Sequence, residues 1–202
     1  MPPGKVNKPD PTESRLRSAA DAGDVEAIHD LGLILRAHGR IADAEALYKG
    51  AIERGIEDLL LDYGNLLAEQ PARYEEAERA YRRALDAGDT QAHNNLAQLL
   101  TEMGRLDEAE IEYRRGIRAG DLKAQRNLGL FLHEEGRFDE AAKELNKALA
   151  AGDSQVHLDL ADLFEETGRT EDAQRHRAAA RGFGLPPDDS PISEWRKRGA
   201  TD

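Results

Sequence analysis

The chain has no cysteine, three valines, one tryptophan and aromatic side chains at only 5% of its 202 positions. Without cysteine there is no disulfide, no thiol nucleophile and no zinc–thiolate site, and the redox compartment leaves no trace in the composition. The shortage of β-branched residues argues against a sheet, because such side chains are what pack a pleated surface. Long apolar runs are missing as well. Leu33 to Leu35 and Leu59 to Leu61 are typical of those present, far below the roughly 20 residues needed to cross a bilayer. The opening MPPGKVNKPDPTESR has no apolar stretch of the secretory kind, so a cytoplasmic location without membrane association is expected. Basic charge is in deficit too, with 28 Lys and Arg against 40 Asp and Glu and a formal net charge of −12. That balance speaks against gripping a nucleic-acid backbone, which needs a basic surface, and favours basic partners.

What the chain does contain is 31 alanines and 25 leucines. Strong helix formers in this abundance predict an all-α fold. Leu, Ile, Val and Phe together supply only about a fifth of the residues, near the level at which chains lack a core. Small residues that let helix axes approach closely would meet the need.

A repeat settles the architecture. Gly32, Gly64, Ala97, Gly129 and Ala161 recur with a period of 32 residues, as do Ala44, Ala77, Ala109, Ala141 and Ala173, with one 33-residue step where Gln70-Pro71-Ala72-Arg73 replaces a Gly-Arg turn. Each unit reads as two helices. The first carries small or apolar residues at helical spacing, as in Ala27, Leu31, Gly32 and Leu35. The second repeats Ala44, Tyr48, Ala51; Ala77, Tyr81, Ala84; Ala109, Tyr113, Gly116; Ala141, Leu145, Ala148. Ala-Gly-Asp at 22–24, 87–89, 119–121 and 151–153 reads as a helix stop followed by a cap for the next helix. The Gly-Arg turns at Gly39, Gly104, Gly136 and Gly168, with Arg73 in the fifth unit, recur wherever the unit sits. Their arginines therefore read as helix-end and inter-helix stabilisers.

The order Leu31-Gly32, Leu35, Ala44, Tyr48, Ala51 resembles the tetratricopeptide repeat (TPR). The junction between units is two residues shorter than in that family and, as in Ala119-Gly120-Asp121-Leu122-Lys123-Ala124, is similar to the Sel1-like repeat. The resemblance implies an all-α, right-handed α-solenoid of five 32–33-residue helical hairpins plus an N-terminal capping helix. Expected boundaries are a flexible 1–10, a capping helix at 11–22, and repeats at about 24–55, 56–88, 89–120, 121–152 and 153–184. A Pro-rich linker and basic tail would occupy 185–202. The capping helix opens with Asp10, Pro11 and Glu13 in capping-box order. Arg177 stands where Tyr48, Tyr81 and Tyr113 stood, so the outer face of the last helix is expected to be wetted, as terminal repeats require.

In the family resembled, the first helices line a concave groove. The corresponding residues here include Glu26, His29, Asp30, Asp58, Asp62, Asn65, Asn94, Asn95, Gln98, Lys123, Arg126, Asn127, His133, Asp159 and Asp162. Across all 30 positions implied, 11 acids face three bases, so −8 of the chain's −12 falls on one surface. The groove is expected to be acidic at both ends, with an amide-rich centre where Asn95 and Asn127 clamp an extended peptide backbone. Lys123 and Asn127 match one element of the carboxylate clamp found in some tetratricopeptide domains, but Asp159 is out of place in it. The function implied is a non-catalytic adaptor or scaffold for a protein or peptide of basic character. The alternative is a regulatory sensor that changes shape on binding a small molecule or short peptide.

Chemistry-bearing motifs are sparse. Glu26-Ala27-Ile28-His29 has the Glu-x-x-His spacing of carboxylate-bridged metal bundles, which need two copies. His93 and His157 lie two repeats apart, too far to share a metal, and fall in the buried aromatic slot of the repeat. Asp58 and Asp62 share a helix face but line an open groove with nothing to exclude water. No nucleophile elbow or phosphate-binding loop is present, so no catalytic residue, metal or cofactor is expected. Trp195 sits in a basic tail that docks in its own groove, docks on another molecule, or stays solvated. Stacked hairpins bury their apolar faces only against neighbours. Leu128→Ala should therefore cost about 2–5 kcal/mol in urea or thermal unfolding, whereas on sequence alone Arg177→Ala at the chain's end should cost little.

Overall fold

The computed structural model describes residues 11–186; the expected flexible start with Asp10, the tail and Trp195 lie outside the described residues. All regular structure among the described residues is helical, and it falls into two compact units, 1–99 and 100–202. Unit 1 holds α1 (Pro11–Asp21), α2 (Val25–Ala37), α3 (Ile41–Glu53), α4 (Leu60–Ala68), α5 (Tyr74–Asp86) and most of α6 (Ala92–Glu102). Unit 2 holds the end of α6, then α7 (Leu106–Arg118), α8 (Leu122–Glu134), α9 (Phe138–Ala150), α10 (Val156–Glu166) and α11 (Thr170–Gly182). In unit 1 α1 packs on α2, α2 on α3, α3 on α4 and α4 on α5, and in unit 2 α7 through α11 pack in turn, the solenoid-like order of stacked hairpins.

Helix ends follow from the punctuation in the sequence. Gly39 takes φ +71°, the left-handed region, and lets the amide of Arg40 reach back to the carbonyl of Leu35 at 2.8 Å while its own amide meets Arg36. That Schellman geometry satisfies carbonyls the helix would otherwise orphan. Asp24 and Asp121 then cap α2 and α8 by accepting from the amides of Ala27 and Lys123. The extra residue at Gln70-Pro71-Ala72-Arg73 appears as a 3-10 turn, Pro71–Arg73, between α4 and α5. A second such turn, Glu57–Leu59, leads into α4.

In three hairpins a glycine faces a large residue, Gly32 with Tyr48, Gly64 with Tyr81 and Gly129 with Leu145. A Cβ built on Gly64 would lie 2.5 Å from the Tyr81 ring, and one on Gly129 would lie 2.7 Å from Cγ of Leu145. Tyr48, Tyr81, Tyr113 and Leu145 are all buried, at 0%, 2%, 4% and 0% exposure. Burial pushes the Tyr48 and Tyr113 hydroxyls up to about 12. The Tyr81 hydroxyl donates to Oδ1 of Asn65 at 2.9 Å. Its counterpart on Tyr48 is buried with no hydrogen-bond partner, because Leu33 occupies the position that Asn65 holds in the next hairpin.

The recurring turn arginine ties one hairpin to the one before. Arg73 forks onto both oxygens of Glu45 at 2.6 and 2.8 Å and onto Glu76 within its own hairpin. Arg40 does the same between Glu13 and Asp43, and Arg137 between Glu110 and Glu140. Glu13 thus serves this clasp and the Arg17 guanidinium. The arginines hold Glu45 and Glu110 below the usual carboxylate range through direct hydrogen bonds. Arg169 departs from the pattern: it meets Asp172 in its own hairpin and lies 4.0 Å over the Phe164 ring.

Only Ala173 and Ala180 are buried on α11, so its outer face is wetted as the sequence suggested, but the part-exposed Arg177 also makes specific contacts. It fills the tyrosine slot and turns its guanidinium back to α10, 2.8 Å from the buried Asp162 and on to Glu165. Its removal would leave Asp162 without that charge, so Arg177→Ala is not the cheap change that its position implied.

Glycines that look alike in sequence differ here. Gly64 sits against the Tyr81 ring, whereas a Cβ on Gly50 in α3 would meet nothing within 4 Å. Gly64→Ala should destabilise by about 1–3 kcal/mol through overpacking, while Gly50→Ala should stabilise by about 0.5–1 kcal/mol through helix propensity. Paired denaturant titrations read out the opposite signs.

Candidate functional site

In unit 1, the start of α2, the 3-10 turn before α4 and the first turn of α4 enclose an open pocket of about 330 Å³ lined by Val25, Glu26, His29, Asp30, Asp58, Leu59 and Asp62. Five of these are residues that the sequence marked for the groove. The helical spacing of Glu26, His29 and Asp30 puts them on one face of α2. The turn ahead of α4 carries Asp58 and sinks Leu59 to 1% exposure beneath it. Nδ1 of His29 lies 2.7 Å from Oδ2 of Asp62, which joins the two walls. Glu26, Asp30 and Asp58 are exposed, and no cation among the described residues pairs with them.

The remaining candidates in unit 1 bond to one another. Asn65 accepts from the Tyr81 hydroxyl and from the Asn95 amide at 2.7 Å, and Oδ1 of Asn95 accepts from Asn94. Asn94 is only 6% exposed. One Asn95 amide N–H, expected to clamp a peptide, is thus engaged within the wall, and the side chain is part-buried. Arg36 pairs with Glu69 on the same side. Gln98 is exposed.

Unit 2 repeats the register with a different outcome. Arg126 forks onto Asp159 at 2.6 and 3.2 Å and reaches Gln155 at 2.7 Å, and Nε2 of His133 meets Glu166 at 2.8 Å. In both units the partners are 33 residues apart: His29 with Asp62, Arg36 with Glu69, Arg126 with Asp159, His133 with Glu166. Asp159 and Asp162, expected on the groove surface, are instead buried at 0% and 3% exposure, and His133 is buried at 4%. Arg126 offsets the charge of Asp159 beside it, so Asp159 does not add to an open acidic end. Arg126, occupied by Asp159, is likewise withdrawn from a carboxylate clamp. Lys123 is exposed and Asn127 part-buried on α8.

Two features escaped the sequence reading. The 33-residue pairs were in principle visible as opposite charges one position out of phase with the 32-residue period. A histidine pair, His157 with His176, has Nδ1 atoms 2.9 Å apart. Burial lowers the pKa of both, and for His176 the neighbouring His157 adds to the effect. Nothing in their 19-residue separation announces that contact. No group of three or more metal-ligating side chains occurs among the described residues, and no helix there is long and apolar enough to cross a membrane.

A family model described as tetratricopeptide repeat matches residues 66–123, 118–156 and 134–183, and a second of the same description matches residues 25–57. Among solved structures, BtubC from P. vanneervenii is similar at 23% identity and TM-score 0.67, over 89% of this chain and 92% of that one. A Sel1 repeat protein from Oxalobacter formigenes is similar at 26% identity and TM-score 0.61, over 86% and 80%. YrrB, described as a TPR protein with an unusual peptide-binding site, is similar at 18% identity and TM-score 0.56, over 94% and 98%. No curated protein matches the sequence.

If the Arg126 fork compensates a buried charge, Arg126→Ala should cost about 3–5 kcal/mol, the size expected when one partner of a buried ion pair is deleted. Arg83→Ala, whose pair with Glu57 is half exposed on both sides, should cost under about 1 kcal/mol. Chemical denaturation of the two variants compares them directly.

Proposed function

Because the chain belongs to the tetratricopeptide repeat family, we propose that it is a non-catalytic interaction module that holds a basic segment of a partner protein on the first-helix face of its hairpins. The observation that carries this reading is the unit 1 pocket, where Glu26, Asp30 and Asp58 stand unpaired around an apolar base of Val25 and Leu59. A lysine or arginine suits that arrangement, since its methylene stem lies on apolar surface while its charged head stays among carboxylates. Exposed ion pairs each contribute little, on the order of 0–1 kcal/mol. The acids therefore serve selection and encounter rate more than raw affinity, and binding should weaken as salt rises. The likeness to YrrB, described as having a peptide-binding site, supports the class of ligand.

Within this reading the pocket residues Glu26, His29, Asp30, Asp58 and Asp62 make the charged contacts. Elsewhere in unit 1, Asn65, Asn94 and Asn95 shape the first-helix face and Gln98 offers a polar contact; in unit 2, Arg126, His133, Asp159 and Asp162 shape the corresponding face, and Lys123 and Asn127 offer its polar contacts.

Selection from a random displayed peptide library tests the proposal. The wild-type chain should enrich peptides carrying Lys or Arg, and Asp30→Lys with Asp58→Lys should weaken those peptides at least about tenfold at low salt, by reversing two charges at the pocket. Both positions are exposed, so the melting temperature should hold. Equal selection by wild type and variant, or enrichment of acidic peptides, would show the reading to be wrong.

A further inference from the structure

The last hairpin carries a chemical feature that peptide binding does not use. His157 on α10 and His176 on α11 turn the same nitrogen, Nδ1, toward each other across 2.9 Å. Their rings sit 5.1 Å apart at 47°. Phe183 stacks on His157 at 5.7 Å and Phe164 tilts against His176 at 5.5 Å, so aromatic walls hold both imidazoles in place. Asp172, the acid whose charge reaches His176, is taken up by Arg169 and Arg175. Both histidines are only part-buried, which leaves water access to the pair.

Two nitrogens at this separation match a chelate. Metal–imidazole bonds are about 2.0–2.1 Å, so nitrogens 2.9 Å apart subtend about 90° at a shared ion. That is the angle between adjacent positions of a square-planar or octahedral centre. A tetrahedral ion would need them about 3.3 Å apart at the same bond lengths. The geometry points to a transition-metal site: His157 and His176 bind Cu²⁺ or Ni²⁺ through both Nδ1 atoms in adjacent coordination positions, with water in the others.

Without metal the contact is a hydrogen bond, with a proton on one Nδ1 and a lone pair on the other. For both Nδ1 atoms to coordinate, the donor histidine carries its proton on Nε2 instead, so the neutral pair binds the ion without net proton release. Burial already favours the neutral imidazoles that coordination requires.

The test is titration of the full chain with Cu²⁺ alone in a non-coordinating buffer, followed by calorimetry. One equivalent is expected, with affinity falling at least about tenfold in His157→Asn and in His176→Asn, because each loses the chelate. His38→Asn, at an exposed histidine of unit 1, is expected to keep it. Should either variant fold poorly, the wild type answers by itself. Electron paramagnetic resonance of its Cu²⁺ complex should show two imidazole nitrogens, and one equivalent of Cu²⁺ should raise its melting temperature. Binding that survives both substitutions, a spectrum with a single imidazole nitrogen, or no tight equivalent at all would overturn the site.

Discussion

A helix that presents glycine to the tyrosine or leucine of its hairpin partner can approach it to the distance at which a methyl group would collide. In the three hairpins of Gly32, Gly64 and Gly129, the rest of the packing hangs on that approach. It lets a chain poor in bulky side chains close a core, since Gly32, Gly64 and Gly129 supply the space that Tyr48, Tyr81 and Leu145 fill. It also fixes the sliding register of each hairpin. Once the tyrosine is seated, the rows of side chains on the first helix are set. The carboxylates, amides and guanidiniums on that row then meet partners at constant spacing from the next hairpin.

That constant spacing explains which parts of the molecule were legible in the sequence. The all-α class and the stacked hairpins followed from period, because small residues at Gly32, Gly64 and Gly129 and tyrosines at Tyr48, Tyr81 and Tyr113 have no other reason to recur every 32 or 33 residues. The turn arginines were legible as inter-helix ties for the same reason, although Glu45 and Glu110 were not singled out and Glu13 was read only as a capping residue. The charge balance of the face was not legible. Counting acids treats each as independent, yet His29, Arg36, Arg126 and His133 each sit where an acid of the following hairpin arrives. Period reveals which positions align, and pairing depends on the one-residue offset between aligned positions. Arg177 was misjudged likewise: a tyrosine slot holding arginine reads as decay until Asp162 is seen beneath it.

The two units use one scaffold for different electrostatic ends. In unit 1, α2 begins with Glu26 and Asp30 facing Asp58 over apolar surface, and the carboxylates stay open to water. In unit 2, Asp159 and Asp162 are drawn inside by Arg126 and Arg177. Such buried pairs do little for net stability relative to apolar packing, but they penalise any register that separates them. Unit 1 therefore leaves carboxylates exposed around its pocket, and unit 2 ties its acids into its own packing.

The turn arginine of the last hairpin has a consequence for how the molecule comes apart. Arg40, Arg73 and Arg137 each bridge back to an acid 27 or 28 residues earlier. For Arg169 the residue 27 positions back is Ala142, and the guanidinium settles over Phe164 within its own hairpin. The α10–α11 pair thus lacks the turn-arginine bridge that Arg40, Arg73 and Arg137 make, and its polar ties to the preceding hairpin come instead from α8, through Arg126 to Asp159 and His133 to Glu166. Opening in a repeat array spreads from its weakest joint. Local opening at this joint is accordingly biased toward its turn side, where no such bridge is made, while the first-helix row stays tied.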